Sequence, residues 1–395
     1  MTWLLFAYWY EPEAPSDPVG LVRIWQLARH LTDLGETVTI LAPNYGSTRQ
    51  QTDLRIAGIP LLPVPLLRPI SYAIGSWLAG VALALRRTPT VVYYRWMDSP
   101  HPLVLARLLG CQCVCEVNGE PVPDWDAARS RALTRVKHWL ARQTLRRCDR
   151  VVALTEGLRD LVMRRYGVDP GAIIVLPSAT DPKRFRPEDP REARRRLRLD
   201  PESSYIGFVG SFYRYQGLTC LLEAFAMLRC RRPAMRLLLV GDGEAGPSLR
   251  EQAIRLNVAE AVTWAGRVSY ARVPDFINAM DVCVAPFRGD RGETSPVKVF
   301  DYLACGRPTV ASAIPSVASL FSEREGVVLV PPDDSIALAG ALERVLEDPR
   351  WAADLGRRGR GVVCARFGWA GIAEQLRDWV GKGQGASAHA DSCVL

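Results

Sequence analysis

Short apolar, often β-branched runs alternate with stretches of helical periodicity along almost the whole chain. This rhythm predicts parallel sheets covered by helices, because parallel strands must be joined by long crossovers. In the first half the expected strands are Leu4–Tyr8, Thr37–Leu41, Thr90–Tyr94, Cys111–Val117, Val151–Leu154 and Ile173–Leu176, with a helix from Gly20 to Leu34. Residues 182–203, PKRFRPEDPREARRRLRLDPES, interrupt the rhythm and read as a linker with a short surface helix. Alternation restarts with Tyr205–Val209, Arg236–Val240, Val262–Trp264, Val282–Pro286, Thr309–Ala311 and Val327–Val330. The chain of 395 residues is long enough for two cores. The expectation is α/β: two Rossmann-like, doubly wound parallel-sheet domains, 1–185 and 186–368, facing a central cleft. A C-terminal helix over 369–382 is free to pack back on the first domain. The small, polar stretch 383–395 reads as a disordered tail.

Composition narrows the partners. With 48% hydrophobic and 23% charged residues the chain is globular, and its net charge of +8 (pI near 9.1) points to anionic partners. Nucleic acid, acidic lipid and phosphorylated substrate all satisfy that charge, but no aromatic or groove-reading motif supports nucleic acid, so none is expected. Cys111, Cys113 and Cys115 alternate along one apolar run, no C-x-x-C pair occurs, and the four histidines lie far apart. The cysteines therefore read as reduced core residues of a cytoplasmic protein rather than disulfide or zinc ligands. The N-terminal MTWLLFAYWYEPE lacks a basic leader and reads as a first strand. Pro69–Leu85, diluted by Ser71, Tyr72, Gly75 and Ser76, reads as a buried or membrane-touching helix, not a span.

Residues 127–147 form a basic amphipathic pattern, with Arg131, Arg135, Arg142 and Arg146 on one face and Leu133, Val136 and Leu140 opposite. Two readings stay open: a solvated helix face, or a patch that docks on anionic headgroups and makes the protein peripheral at the inner membrane face.

The segment most informative about chemistry is DVCVAPFRGDRGETSPVKVFDYLACGRPTVAS, Asp281 to Ser312. A buried strand ends at Pro286, a polar loop follows, and Ser295-Pro296 predicts an N-cap and a first-turn proline for a helix ending at Gly306. A helix start at a strand's carboxyl edge is where open α/β sheets bind ligands. The amides of 295–298 and the helix dipole favour a phosphate, and Lys298 adds a cation. Glu293 and Asp301 are placed to accept hydrogen bonds from hydroxyls, so the set describes a nucleotide-sugar pocket. A capped helix with solvated acids is the plainer alternative.

This segment resembles the E-x7-E signature of retaining family 4 glycosyltransferases of the GT-B fold, with Glu293 in the first acidic place and Asp301 in the second. GFVGSFYRYQG (Gly207–Gly217), LLLVGDG (Leu237–Gly243), Gly266-Arg267, LACGRPTVAS and the interdomain VLPSATDPKRFRP fit the same family. The resemblance implies that Glu293 contacts the donor sugar, Asp301 the ribose, and Thr294, Ser295, Pro296, Val297 and Lys298 the diphosphate. Gly210, Ser211, Arg214, Gln216, Gly241, Gly243 and Arg267 would complete the donor site. It further implies a metal-independent hexosyl transfer with retention of configuration. No cofactor is needed beyond a UDP- or GDP-linked donor, which is a co-substrate. The acceptor would be a glycan or lipid-linked saccharide, met by the loops 11–20 and 118–126, with Pro18, Gly20 and Glu120 as candidates. Asn118 falls where many relatives carry a histidine near the reaction centre, so it joins Glu293 and Lys298 as a candidate catalytic residue.

The departures are Ser211 and Gln216, where the family commonly has an arginine and a lysine, and Asp301, one methylene short of the usual glutamate. Arg214, Lys298 and Arg288 are the available substitute cations. The lost cations motivate an alternative, a catalytically weak GT-B protein that binds nucleotide or glycan as a partner subunit. Two further motif matches are discounted. GDGEAG (241–246) follows a strand but lacks a ribose-binding acid after the next one, and Asp124-Trp-Asp126 is a single D-x-D.

Overall fold

The computed structural model describes residues 1–8, 21–44, 54–62, 64, 67–122 and 131–387. The chain divides into two compact units, Met1–Pro177 together with the segment from Trp369, and Ser178–Gly368. Each is an α/β layer structure around one all-parallel sheet.

In the first unit the strands are β1 (Thr2–Phe6), β2 (Thr37–Pro43), β3 (Arg55–Ile59), β4 (Val91–Arg95), β5 (Gln112–Val117), β6 (Arg150–Ala153) and β7 (Ile173–Val175). Their order in the sheet is β3-β2-β1-β4-β5-β6-β7. β1 is buried from Trp3 onward and pairs in parallel with β2 and β4, which explains its apolar sequence. β3 has no counterpart in the sequence reading. It is a half-exposed edge strand, RIAGI, without the continuous apolar run of a central strand.

Topology assigns the helices to faces. The helix Val22–Asp33 joins β1 to β2, moving one way across the sheet, whereas Arg68–Ala84, His101–Leu108 and Arg131–Leu145 join β3 to β4, β4 to β5 and β5 to β6 in the opposite direction. Right-handed crossovers therefore place those three on one face and Val22–Asp33 on the other. The C-terminal helix Trp369–Ser387 packs on Val22–Asp33, with Arg23 over the Trp369 ring at 5.6 Å and Arg150 over Trp379 at 4.8 Å. It continues through 383–387, part of the stretch expected to be tail. No proline stops it there, and glycine costs a helix only about 1 kcal/mol per residue.

In the basic helix Arg131–Leu145 the buried positions are Ala141, Thr144 and Leu145, while Leu133, Val136 and Leu140, opposite the arginines in the sequence pattern, are exposed together with Trp139. The side chain of Arg131 lies outside the described residues. Cys113, Cys115 and Cys148 are buried in the core of this unit, all as free thiols.

In the second unit the strands are β8 (Tyr205–Val209), β9 (Arg236–Val240), β10 (Val262–Gly266), β11 (Val282–Ala285), β12 (Thr309–Ser312) and β13 (Val327–Val330), ordered β10-β9-β8-β11-β12-β13. The order reverses between β8 and β11, the switch point where loops diverge and leave room for a ligand. Two cores flank this sheet, one under the helices Leu218–Arg231 and Ser335–Glu347, the other under Val297–Ala304.

Candidate functional site

Tight backbone approach builds the carboxyl edge of the second sheet. Gly241, at φ +131°, lies so close to the loop after β8 that a Cβ would stand 2.0 Å from the Gly210 carbonyl oxygen. Gly217, at φ +72°, sits where a Cβ would stand 1.7 Å from the carbonyl oxygen of Pro286. Only glycine fits either position. These contacts draw the loops after β8, β9 and β11 together, and the Gly210 amide donates to Val240 O at 2.9 Å.

The helix Val297–Ala304 enters beneath these loops and is tied to β8 by Tyr302, whose hydroxyl accepts from the Val209 amide at 2.7 Å. Pro296 takes the N-cap position, not the first helical turn as expected, and no side chain caps the helix. The Ser295 hydroxyl, the expected cap, instead accepts from the Ser178 amide at 3.4 Å, and the Val297 amide turns back to Ser295 O at 3.0 Å. The amide row at 295–298 is correspondingly thinner than the sequence suggested. Pro296 has no N–H and the Val297 amide is used, whereas the Lys298 amide meets no backbone acceptor among the described residues.

Lys298 projects under Gly210, with its Nζ 3.9 Å from the centre of the Phe208 ring and 5.0 Å from that of Phe287. It donates to Gln216 Oε1. Arg291 lies over Phe287 at 3.9 Å and holds the carbonyls of Thr294 and Ser295 at 3.4 and 3.3 Å, leaving its buried Nε without an acceptor. The Glu293 carboxylate, two residues on, acts on Arg291 through its charge. Burial, and then Arg291, hold the Lys298 ammonium well below its ordinary value, and burial pushes Arg291 down to about 10. Two mostly buried cations on aromatic faces, with the Glu293 carboxylate acting on Arg291, form a site that favours an anion.

Asp301 is 7% exposed and accepts a hydrogen bond from Thr180 Oγ1 at 2.7 Å. Burial pushes its carboxyl up to about 7, against the lowering effect of that bond. Glu293 is half-buried in the loop that leads to Lys298. Ser211, Arg214 and Arg267 are exposed at the carboxyl ends of β8 and β10, and Val297 is exposed beside the helix start. Gly243 packs under the Phe212 backbone. Arg288, considered as a substitute cation, is taken by Asp290 at 2.8 Å. Sequence reading missed Arg291, whose setting among RGDRGE looks like solvated loop, and Thr180.

In the first unit, Asn118 and Glu120 follow the carboxyl end of β5, and the Glu120 carboxylate is paired with Arg165. A buried cluster stands behind them: Glu116 accepts from Arg23 Nε at 2.5 Å and from the Tyr93 hydroxyl. Pro18, Gly20 and the Asp124-Trp-Asp126 triplet lie outside the described residues. Among the described residues no cluster of three or more potential metal ligands occurs, and no helix is long and apolar enough to cross a membrane.

Residues 22–184 match the profile described as Glycosyltransferase Family 4, and residues 203–348 match that described as Glycosyl transferases group 1. A D-inositol 3-phosphate glycosyltransferase of Catenulispora acidiphila is 31% identical over 245 residues, which is 60% of this chain and 56% of the relative. The chain thus spans little more than half the length of that protein. An alpha-D-kanosaminyltransferase of Streptomyces kanamyceticus is 24% identical over 83% of this chain and 88% of its own. Among solved structures, a sucrose-phosphate synthase from Thermosynechococcus elongatus superposes with a TM-score of 0.79 at 23% identity, covering 98% of this chain and 99% of the other. The Anabaena protein HepE, solved with UDP, superposes with a TM-score of 0.75 at 17% identity, over 97% of this chain and all of its own (100%).

Proposed function

We propose, from the premise that the chain belongs to the group 1, family 4 glycosyltransferases, that it transfers a hexose-type sugar from a nucleotide donor to a glycan or lipid-linked saccharide with retention of configuration. One observation carries the reading: Lys298 and Arg291 converge as two mostly buried cations on Phe208 and Phe287. A donor diphosphate supplies negative charge to match them. As the glycosidic bond to the diphosphate breaks, charge builds on the leaving oxygen, and these cations with the Lys298 amide stabilise it in a site shielded from water. Glu293 would hold the sugar hydroxyls and Asp301 the ribose. Uridine is favoured over guanosine by the Anabaena protein, which was solved with UDP and with UDP-glucose. The donor is a co-substrate, and no resident cofactor or metal enters the scheme.

The lipid-side acceptor draws support from the first unit. Among the described residues, its exposed large apolar side chains lie between residues 62 and 140, among them Ile74 (58%), Leu78 (57%), Leu108 (62%) and Trp139 (60%). Most stand on the three helices that share one face of the sheet, and those helices contain arginine, lysine and histidine but no acid. These apolar, basic helices, whose Lys137 and Arg107 pair with Asp98 and Asp149, suit an anionic bilayer and with it a peripheral, cytoplasmic-side location. This replaces the four-arginine patch by a broader contact in which apolar side chains enter the headgroup layer.

The partner-subunit alternative rests on Ser211 and Gln216. Arg291 weakens it, since this residue restores a cation close to the position where one seemed lost. Calorimetric titration of UDP- and GDP-sugars into wild type, Lys298→Ala and Glu293→Ala tests the donor reading, with a transfer assay in EDTA beside it. Donor binding that the Lys298 change leaves intact would refute the site. Binding without transfer to any saccharide acceptor would favour the partner subunit.

A further inference from the structure

The second unit has a cavity of about 470 Å³ at the amino edge of its sheet, the edge opposite Lys298. Pro308 and Asp281, which immediately precede β12 and β11, line its floor, and the helix Pro349–Arg366 forms a wall. The volume is that of an ordinary small-molecule pocket.

Its charge is unbalanced. Arg307, 9% exposed, donates to Glu188 O at 2.5 Å and to Asn278 Oδ1 at 3.0 Å, and its buried Nε has no acceptor. Arg360 donates to Phe185 O at 3.1 Å and to Ala304 O, the last carbonyl of the helix that begins beside Lys298. All these acceptors are neutral, and among the described residues neither guanidinium forms an ion pair. The acid that does line the cavity, Asp281, is committed elsewhere, to Arg194 at 2.6 Å and the Tyr205 amide at 2.7 Å. Arg357 is likewise neutralised, by Asp354 at 2.7 Å. Two guanidiniums fixed by neutral carbonyl oxygens are preorganised donors whose charge calls for an oxyanion. Apart from Ser204, the remaining side chains of the lining, including Val345, Leu346 and Ala352, are apolar.

We propose that this cavity binds a small oxyanion, phosphate or carboxylate, carried on a compact apolar body, separately from the donor site. The carbonyl clamps hold the guanidiniums in place, the anion takes their remaining donors, and the apolar walls shed water against the body. Titration calorimetry with phenyl phosphate, benzoate and inorganic phosphate tests it on wild type, Arg360→Gln, Ala353→Trp and Lys298→Ala. Ala353 is an exposed lining residue, so tryptophan there fills the space without removing charge.

The expected result is one saturable site for phenyl phosphate or benzoate, tighter than for inorganic phosphate. Both cavity variants should weaken it by about tenfold or more, the worth of one hydrogen bond to a charged group, and Lys298→Ala should leave it unchanged. Whichever of the two aromatic probes binds more tightly identifies the oxyanion. If Arg360→Gln unfolds, Ala353→Trp alone decides. Absence of saturable binding to wild type would overturn the proposal, as would binding that Lys298→Ala abolishes and both cavity variants retain.

Discussion

Replacing Asp301 by asparagine should remove a pH dependence that the wild-type fold carries. Burial raises this carboxyl from its ordinary 3.8 to about 7. Below about pH 4 both folded and unfolded chains hold the proton, and the residue adds no pH dependence. Between about pH 4 and pH 7 the folded chain keeps a proton that the unfolded chain has released, so stability falls as pH rises. Above about pH 7 both forms are ionised and the loss is complete. At about 1.4 kcal/mol per unit, the shift corresponds to an upper bound of about 4 kcal/mol. Asparagine keeps an oxygen to accept from Thr180 Oγ1, which holds Asp301 at 2.7 Å, yet it has no charge to bury. Urea unfolding of wild type and Asp301→Asn should therefore diverge with pH, the variant gaining relative stability up to about pH 8. Taking the difference between the two proteins cancels every other titrating group. A difference that stays flat from about pH 5 to about pH 8 would refute the assignment of a buried, protonated carboxyl.

Three further outcomes follow from the same geometry. Binding of UDP should take up protons at alkaline pH, because a diphosphate raises the depressed Lys298 ammonium; calorimetry in buffers of different ionisation enthalpy reads this, and Lys298→Met should abolish it. Gly217→Ala should lower stability by at least about 2 kcal/mol in urea unfolding, from left-handed strain and the collision with Pro286 O. Glutamate at Ile74, Leu78 and Trp139 together should weaken sedimentation with anionic vesicles by on the order of a hundredfold, given that burying the exposed parts of three such side chains is worth about 3 kcal/mol. Unchanged vesicle binding would remove the membrane face from the account.

The architecture was legible because both sheets are buried and parallel, so each strand had to be an apolar run, and β8, β9 and β13 fall on the expected residues. The edge strand β3 escaped because one exposed flank relaxes that demand. At the helix start, residue types pointed to Ser295-Pro296, but whether a serine caps a helix or bonds a distant amide depends on tertiary contacts. Arg291 was invisible for the same reason: only its placement over Phe287 separates it from the ion-paired Arg288 three residues earlier. Periodicity likewise found the helix Arg131–Leu145 but could not tell that its apolar side faces outward.

The return of the last helix to the first unit sets an order on biosynthesis. A ribosome delivers residues 178–368, a whole compact unit, before the helix from Trp369 exists to cover Val22–Asp33. The unit begun first is thus finished last, and the helix Val22–Asp33 waits without its final cover while a complete neighbour folds downstream. Premature termination anywhere before Trp369 therefore yields one sound unit tethered to one with an open apolar face, the kind of product that chaperones and proteases recognise.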